Sequence, residues 1–178
     1  MRKIPSRPWA ITALVVALAA AGLGMYWFQP WKLWQDETLH EALPEATAPT
    51  TPGSTSTPTP PRTLATGDLI SHEHTTSGTA KLVRLGDGSH VVRLEGLDTS
   101  SGPDLRVWLT DAPVKKGRAG WFVFDDGKHL SLGKLKGNKG DQNYPLPTGT
   151  DPADYTSVTI WCDRFDVSFG AAELTRRT

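Results

Sequence analysis

Short runs of alternating apolar and polar residues, separated by turn residues, constrain the fold of this chain more than any other feature. Alternation with a period of two is typical of β-strands that are buried on one face. Residues 79–85 and 90–97 form two such runs, and the turn residues 86–89 between them predict a β-hairpin. Further runs cover residues 105–110, 121–124, 129–132 and 157–169. The spacing of the runs predicts an all-β domain, an antiparallel sandwich or barrel, over residues 67–175.

The last of these runs changes phase in its middle. Its apolar residues alternate on one face from Val158 to Cys162, and on the opposite face from Phe165 to Phe169. One regular strand cannot bury both sets, because a shift of one residue exchanges the two faces. We therefore expect a bulge or corner near Asp163-Arg164, next to Cys162.

The N-terminal part of the chain predicts a membrane anchor. No charged residue occurs from Trp9 to Phe28, a length that crosses a bilayer as one helix. The basic residues Arg2, Lys3 and Arg7 precede this stretch, so residues 1–8 are expected to be cytoplasmic, residues 9–28 to span the membrane, and the residues after them to be extracytoplasmic. A cleaved signal peptide is the alternative. The apolar run is longer than a usual signal, and the bulky residues 25–28 suit an uncleaved anchor at the interface.

Residues 29–66 are expected to form a juxtamembrane segment and a disordered linker. From Ala46 to Pro61 the sequence is almost entirely Thr, Pro, Ser and Ala, which cannot bury enough apolar surface to fold. Proline keeps such a segment extended, so we interpret it as a semi-rigid spacer that lifts the domain off the membrane. The formal net charge is zero, which gives no reason to expect a nucleic-acid partner.

Cys162 is the single cysteine of the chain. Exported domains normally pair their cysteines, so this thiol is inert packing, the partner in an intermolecular disulfide, or the site of the chemistry. A c-type haem is excluded, because the sequence has no Cys-x-x-Cys-His motif. His72 and His74 have the spacing of two ligands on one strand face, and with Cys162 they could bind copper or zinc. Two surface histidines are the better interpretation, and no metal site is predicted.

Several motifs occur in an order that resembles a known family. They are Ser77-Gly78-Thr79-Ala80 after His74, Gly102-Pro103-Asp104-Leu105 before Val107-Trp108-Leu109, the stretch 132–144, and the stretch 157–165 with Ile160-Trp161-Cys162. This set is similar to the DM-thirteen domain, often called the electron-transfer DM-thirteen domain. The resemblance covers the folded part and implies a β-sandwich-like module at the cell surface. It also implies a redox role for Cys162, as a bare thiol or as the ligand of a group such as haem.

The predicted site is centred on Cys162, with two further residues around it. His74 matches the family pattern and is a candidate partner of the thiol. Arg164 lies two positions beyond Cys162, where a cation would stabilise the thiolate, whereas Asp163 would oppose this. Asp104 is expected to shape the turn before the next strand rather than to react.

We predict a membrane-anchored, extracytoplasmic redox or electron-transfer module that acts on an unknown partner protein. The alternative is a non-enzymatic binding or structural module of the cell envelope, in which the cysteine is buried and inert. The sequence contains neither Gly-x-Ser-x-Gly nor His-Glu-x-x-His, the signatures of two large hydrolase classes, and it leaves open whether the protein is an enzyme.

Overall fold

The computed structural model describes residues 8–31, 35–44 and 59–176 of the chain. Helix α1 (Pro8–Phe28) is 21 residues long, contains an 18-residue stretch with a mean hydropathy of 1.9 and buries none of its residues. Its length and composition fit a membrane span, and a signal sequence near the N-terminus would meet the same criteria. The predicted cytoplasmic tail and most of the predicted linker, residues 1–7 and 45–58, lie outside the described residues.

The described part that follows α1 is built from eleven strands in two sheets. The strands are β1 (Thr38–His40), β2 (Arg62–Asp68), β3 (Ile70–Ser71), β4 (Ser77–Arg84), β5 (His90–Asp98), β6 (Leu105–Thr110), β7 (His129–Lys134), β8 (Lys139–Pro145), β9 (Ser157–Cys162), β10 (Val167–Glu173) and β11 (Thr175–Arg176). One sheet has the order β1-β8-β5-β4-β2-β11 and the other has the order β3-β10-β9-β6-β7. Neighbouring strands are antiparallel except for β1 and β8. The predicted all-β, sandwich-like fold with one apolar N-terminal helix is confirmed.

The core lies between the two sheets, where alternation along the strands points apolar side chains inward. Leu82 and Leu94 contribute from the larger sheet, and Val107, Ile160 and Phe169 contribute from the smaller one. A second apolar cluster covers the outer face of the smaller sheet. Its buried members are Trp108, Ala112, Phe124, Trp161 and Ala171.

The prediction of a strand at residues 121–124 is wrong. These residues follow a short 3-10 helix (Gly117–Gly120) and form a loop. Phe124 is nevertheless fully buried, because the loop packs it against Trp161 in the outer cluster. An apolar run can therefore be buried by a covering loop without joining a sheet.

A tight turn, rather than the predicted bulge or corner, causes the phase change near Cys162. Residues 163–166 form a tight turn, so that the run 157–169 is two strands, β9 and β10, rather than one. Asp166 closes the turn with a φ of 49°, in the left-handed region that Asp tolerates better than most residues. The shift in register lies later, between Ser168 and Gly170. Phe165, in the turn, is 39% exposed and does not reach the core.

The six-stranded sheet also includes residues that precede Gly67, where the folded domain was expected to begin. Strand β2 begins at Arg62, and the segment 35–44, which we name the β1 segment, lies along β8. Asn138 anchors this segment, since its side chain accepts a hydrogen bond from Glu37 N (2.7 Å) and donates one to Asp36 (2.8 Å). Glu41 accepts hydrogen bonds from Lys136 Nζ (2.8 Å) and from the backbone N–H of Asn143 (2.8 Å).

Candidate functional site

Cys162 is the last residue of β9 and is completely buried. It pairs in register with Leu105 on β6 and with Val167 on β10. Because Val158, Ile160 and Cys162 alternate on the inner face, the thiol belongs to the core between the sheets. The cysteine is therefore held by the same packing that stabilises the sandwich.

Burial raises the pKa of the Cys162 thiol, because an apolar environment disfavours the charged thiolate. The backbone N–H groups of Arg164, Phe165 and Asp104 act in the opposite direction, but burial outweighs them. The thiol is thus protonated at neutral pH and shielded from solvent. A protonated, shielded thiol is unreactive. The three N–H groups would, however, stabilise a thiolate if one formed.

The side chains of Arg164 and Asp163 are engaged away from the thiol. The guanidinium of Arg164 donates a hydrogen bond to the backbone oxygen of Trp27 and lies 5.2 Å from the centroid of the Trp27 ring. The carboxylate of Asp163 lies 3.1 Å from Nε of Arg106. The backbone N–H of Arg164 lowers the pKa of the Cys162 thiol, while the guanidinium suggested as a stabilising cation is held at Trp27.

Asp104 connects the turn before β6 to the turn that follows Cys162. Its backbone oxygen accepts a hydrogen bond from Asp163 N (2.9 Å), and its carboxylate lies 3.5 Å from Arg106 Nη2. Lys134 Nζ is 3.9 Å from the other carboxylate oxygen. The motif Gly102-Pro103-Asp104 therefore fixes the backbone around the thiol, in line with the turn role expected for it.

His74 lies close to this end of the sandwich but contacts other groups than the thiol. Its ring stacks on Phe169, with centroids 3.9 Å apart, and its Nε2 atom lies 3.8 Å from Glu73 Oε2. Phe169 belongs to the same core cluster as Cys162, so this ring links His74 to the surroundings of the thiol.

His72 and His74 do not converge on one ion. They lie in a bend rather than in a strand, so the expected side-by-side geometry does not arise. His72 is buried beside the outer cluster, where its Nδ1 atom is 2.7 Å from Ser168 Oγ and its ring stacks on Phe124. In the part of the chain that the structure describes, no group of three or more His, Cys, Asp or Glu side chains is placed to hold a metal ion.

A cavity of about 220 Å³ lies beside His74, between the end of α1 and the sandwich. It is lined by Phe28, Phe165 and Phe169, together with Glu73, Ser101 and Pro103 among others, but not by Cys162. Pockets for drug-sized ligands have volumes of about 300–1,000 Å³. A haem that is ligated by Cys162 does not fit this arrangement, because the sulfur is enclosed by the core and the neighbouring cavity is too small.

The outer cluster contains an aromatic stack that sequence reasoning did not identify. The Trp161 ring lies 5.0 Å from the Trp108 ring, and the Trp108 ring lies 4.4 Å from the exposed ring of His129, measured between centroids. The sequence did contain a sign of this stack. Trp108 directly follows Val107 and Trp161 directly follows Ile160, so each tryptophan points to the face of the sheet opposite to the core. Two large aromatic side chains on the outer face of a sheet indicate that another part of the chain or a partner covers that face.

A protein-family model described as Electron transfer DM13 matches residues 68–174. Neither the curated proteins nor the solved structures gave a match. The matched region extends from the last residue of β2 to the residue before β11 and contains Cys162, His74 and Arg164. It covers more than half of the 178 residues, and the chain therefore belongs to the Electron transfer DM13 family.

Proposed function

We propose that this protein is a membrane-anchored, extracytoplasmic electron-transfer module whose redox site is Cys162. Membership of the Electron transfer DM13 family is the observation that carries the proposal. The apolar helix α1 supports the anchor, and the basic residues before it support an extracytoplasmic domain.

Cys162 functions in this proposal as a bare thiol. One-electron oxidation breaks the S–H bond of Cys162: the electron passes to an acceptor in a partner protein, the proton passes to solvent or to the partner, and a neutral thiyl radical remains until the reverse transfer restores the thiol. Burial keeps the thiol protonated and away from solvent oxidants, which limits side reactions. The N–H groups of Arg164, Phe165 and Asp104 stabilise the thiolate that exists when the proton leaves before the electron. His74 and Phe169 cover the same end of the sandwich.

A second candidate function is a binding or structural module of the cell envelope with an inert cysteine. The complete burial of Cys162 and the raised pKa of its thiol favour this alternative specifically. The two functions differ in one measurable property, since only the first requires reversible redox chemistry that depends on the sulfur.

The deciding experiment is a redox titration of the full-length protein in detergent micelles, together with its visible spectrum, metal content and thiol reactivity against pH. Cys162→Ser removes the sulfur. Val158→Ala is the matched control, because it perturbs the same face of the same strand and keeps the thiol. A reversible redox wave that Val158→Ala retains and Cys162→Ser loses supports the proposal. A protein that shows no wave, and whose thiol reacts only after unfolding, establishes the structural alternative.

The anchor is tested separately by fractionation. We expect the full-length chain to sediment with membranes and to resist extraction by carbonate. A mature protein that begins near residue 25 in the soluble fraction would identify α1 as a cleaved signal sequence.

A further inference from the structure

The β1 segment limits how far the sandwich can lie from the end of α1. The helix ends at Phe28, and Asp36 is already bound to the sandwich through Asn138. Only residues 29–35 connect these two points, and a fully extended chain of that length spans at most about 28 Å. The Thr/Pro-rich residues 45–58 follow the bound segment and lead into β2. Their length therefore does not set the distance between the helix and the sandwich.

The turn that follows Cys162 contacts the C-terminal end of α1. Phe165 stacks on Phe28 with ring centroids 5.6 Å apart, and the Arg164 guanidinium lies over the Trp27 ring. Phe165 is nevertheless 39% exposed, so part of its ring is available to a further surface. The short connection and these contacts agree: both place the Cys162 end of the sandwich next to the C-terminal end of α1.

We propose that the Cys162 end of the sandwich rests on the outer surface of the lipid bilayer. The inference depends on the membrane anchor in the proposed function, because it takes Phe28 as the outer end of a membrane span. An aromatic ring and a guanidinium suit this location: the ring of Phe165 enters the interface, and Arg164 donates hydrogen bonds to lipid phosphates. The Cys162 end of the redox site then faces the membrane surface.

The orientation is tested with the full-length chain in phosphatidylcholine–phosphatidylglycerol vesicles that contain headgroup-nitroxide lipids. Phe165→Cys and Ala153→Cys, each in a Cys162→Ala background, carry a fluorophore at opposite ends of the sandwich. Ala153 is the matched control, because it is exposed in a short turn of 3-10 helix beyond the far end of β9. We expect several-fold stronger quenching of the label at 165 than of the label at 153. Equal, weak quenching at both positions would overturn the proposal.

Two insertions test the role of the β1 segment. A Gly/Ser insertion of about 20 residues between Trp31 and Lys32 adds about 25 Å of root-mean-square reach, and it should reduce quenching at position 165. The same insertion between Thr51 and Pro52 should leave quenching unchanged, because it follows the bound segment. If residues 46–61 were instead a spacer that lifts the domain, only the insertion between Thr51 and Pro52 would reduce the quenching. That result would refute the inference.

Vesicle flotation distinguishes the two ways in which the test can fail. If the protein floats with the vesicles but the label at 165 is not quenched, the anchor stands and the docked orientation is wrong. If the protein does not float, the membrane anchor fails, and the docked orientation fails with it.

Discussion

Gly140→Ala should displace the β1 segment from the sandwich. Gly140 lies in β8 with a φ of 90°, and a Cβ atom built there would lie 1.9 Å from the backbone oxygen of Leu39. Gly96 also has a positive φ, 55°, but a Cβ there would meet no atom within 4 Å. Both substitutions carry backbone strain of about 1–2 kcal/mol. Gly96→Ala is therefore the matched control, and the difference between the two variants reports on β1 alone.

The size of that difference follows from the hydrogen bonds that the β1 segment makes. Those that involve its backbone include Glu37 N to Asn138 Oδ1 (2.7 Å), Lys139 N to Glu37 O (3.1 Å), Glu41 N to Asp141 O (3.0 Å) and Arg93 Nη1 to Glu41 O (2.9 Å). Such bonds contribute about 0.5–1.5 kcal/mol each, and the released segment regains part of this as backbone entropy. We expect Gly140→Ala to lower the free energy of unfolding by about 2–3 kcal/mol more than Gly96→Ala, or about 10 °C in Tm.

Near-ultraviolet circular dichroism of the full-length protein in detergent measures the two melting temperatures. Hydrogen exchange then shows whether the amides of residues 38–41 have lost protection while those of the other strands keep it. Melting temperatures within experimental error of each other, with residues 38–41 still protected in Gly140→Ala, would refute the assignment of β1 as a bound strand.

Two further predictions concern buried side chains. Burial lowers the pKa of His72, so the folded state holds a neutral imidazole that the unfolded state protonates; stability should therefore fall as the pH drops below about 6.5. Urea unfolding between pH 7.5 and 5 should show a smaller pH dependence for His72→Gln than for His74→Gln, and equal slopes would contradict the assignment. Cys162→Ser places a hydroxyl in the apolar core and should cost about 1–3 kcal/mol. Cys162→Ala should cost less in the same urea assay, and a serine variant as stable as the alanine variant would mean that nearby N–H groups satisfy the hydroxyl.

Strands with clear alternation were predictable from the sequence. The run 105–110 matches β6 residue for residue, and the hairpin of β4 and β5 lies where the turn residues 86–89 placed it. In the middle of these elements the inward positions are apolar, as at Leu82, Leu94 and Val107, so the local pattern and the buried face agree. The family resemblance was also predictable, because short motifs spread over strands and turns carry it, and these motifs lie within the matched residues 68–174.

Strands β8 and β1 were not predictable in this way, because polar bonds hold most of their residues, although Tyr144 of β8 joins the core. The sequence of β8 is Lys-Gly-Asp-Gln-Asn-Tyr-Pro, without an alternating apolar pattern. Gln142 is nevertheless fully buried, since its side-chain amide donates to Gly137 O (2.7 Å) and its oxygen accepts from Gly137 N (3.2 Å). Strand β1 has three residues, too few to show any period.

The alternation from Val158 to Cys162 predicted the inward face on which the structure places Cys162. The sequence left open whether Asp163 or Arg164 faces the thiol, because both lie in a turn where strand periodicity gives no side-chain direction. The same holds for His72 and His74, which lie in a bend, and His72 is buried rather than at the surface. Local side-chain direction can be inferred from sequence only where the element is regular, and the residues that surround the thiol are mostly in turns.

Alternation within Ile160-Trp161-Cys162 assigns the two residues of chemical interest to opposite faces of one sheet. Cys162 lies in the core between the sheets, whereas Trp161 lies in the outer cluster, stacked on Trp108. An electron could leave the thiol directly at the Cys162 end of the sandwich or through the stacked rings of Trp161 and Trp108. The two routes would therefore emerge at different surfaces. The Cys162 end lies against α1, while the stack leads to the exposed ring of His129 on β7. Because these surfaces are separate, Trp108→Phe would alter only the second route, and comparing its redox kinetics with those of the wild type identifies the face that the partner protein uses.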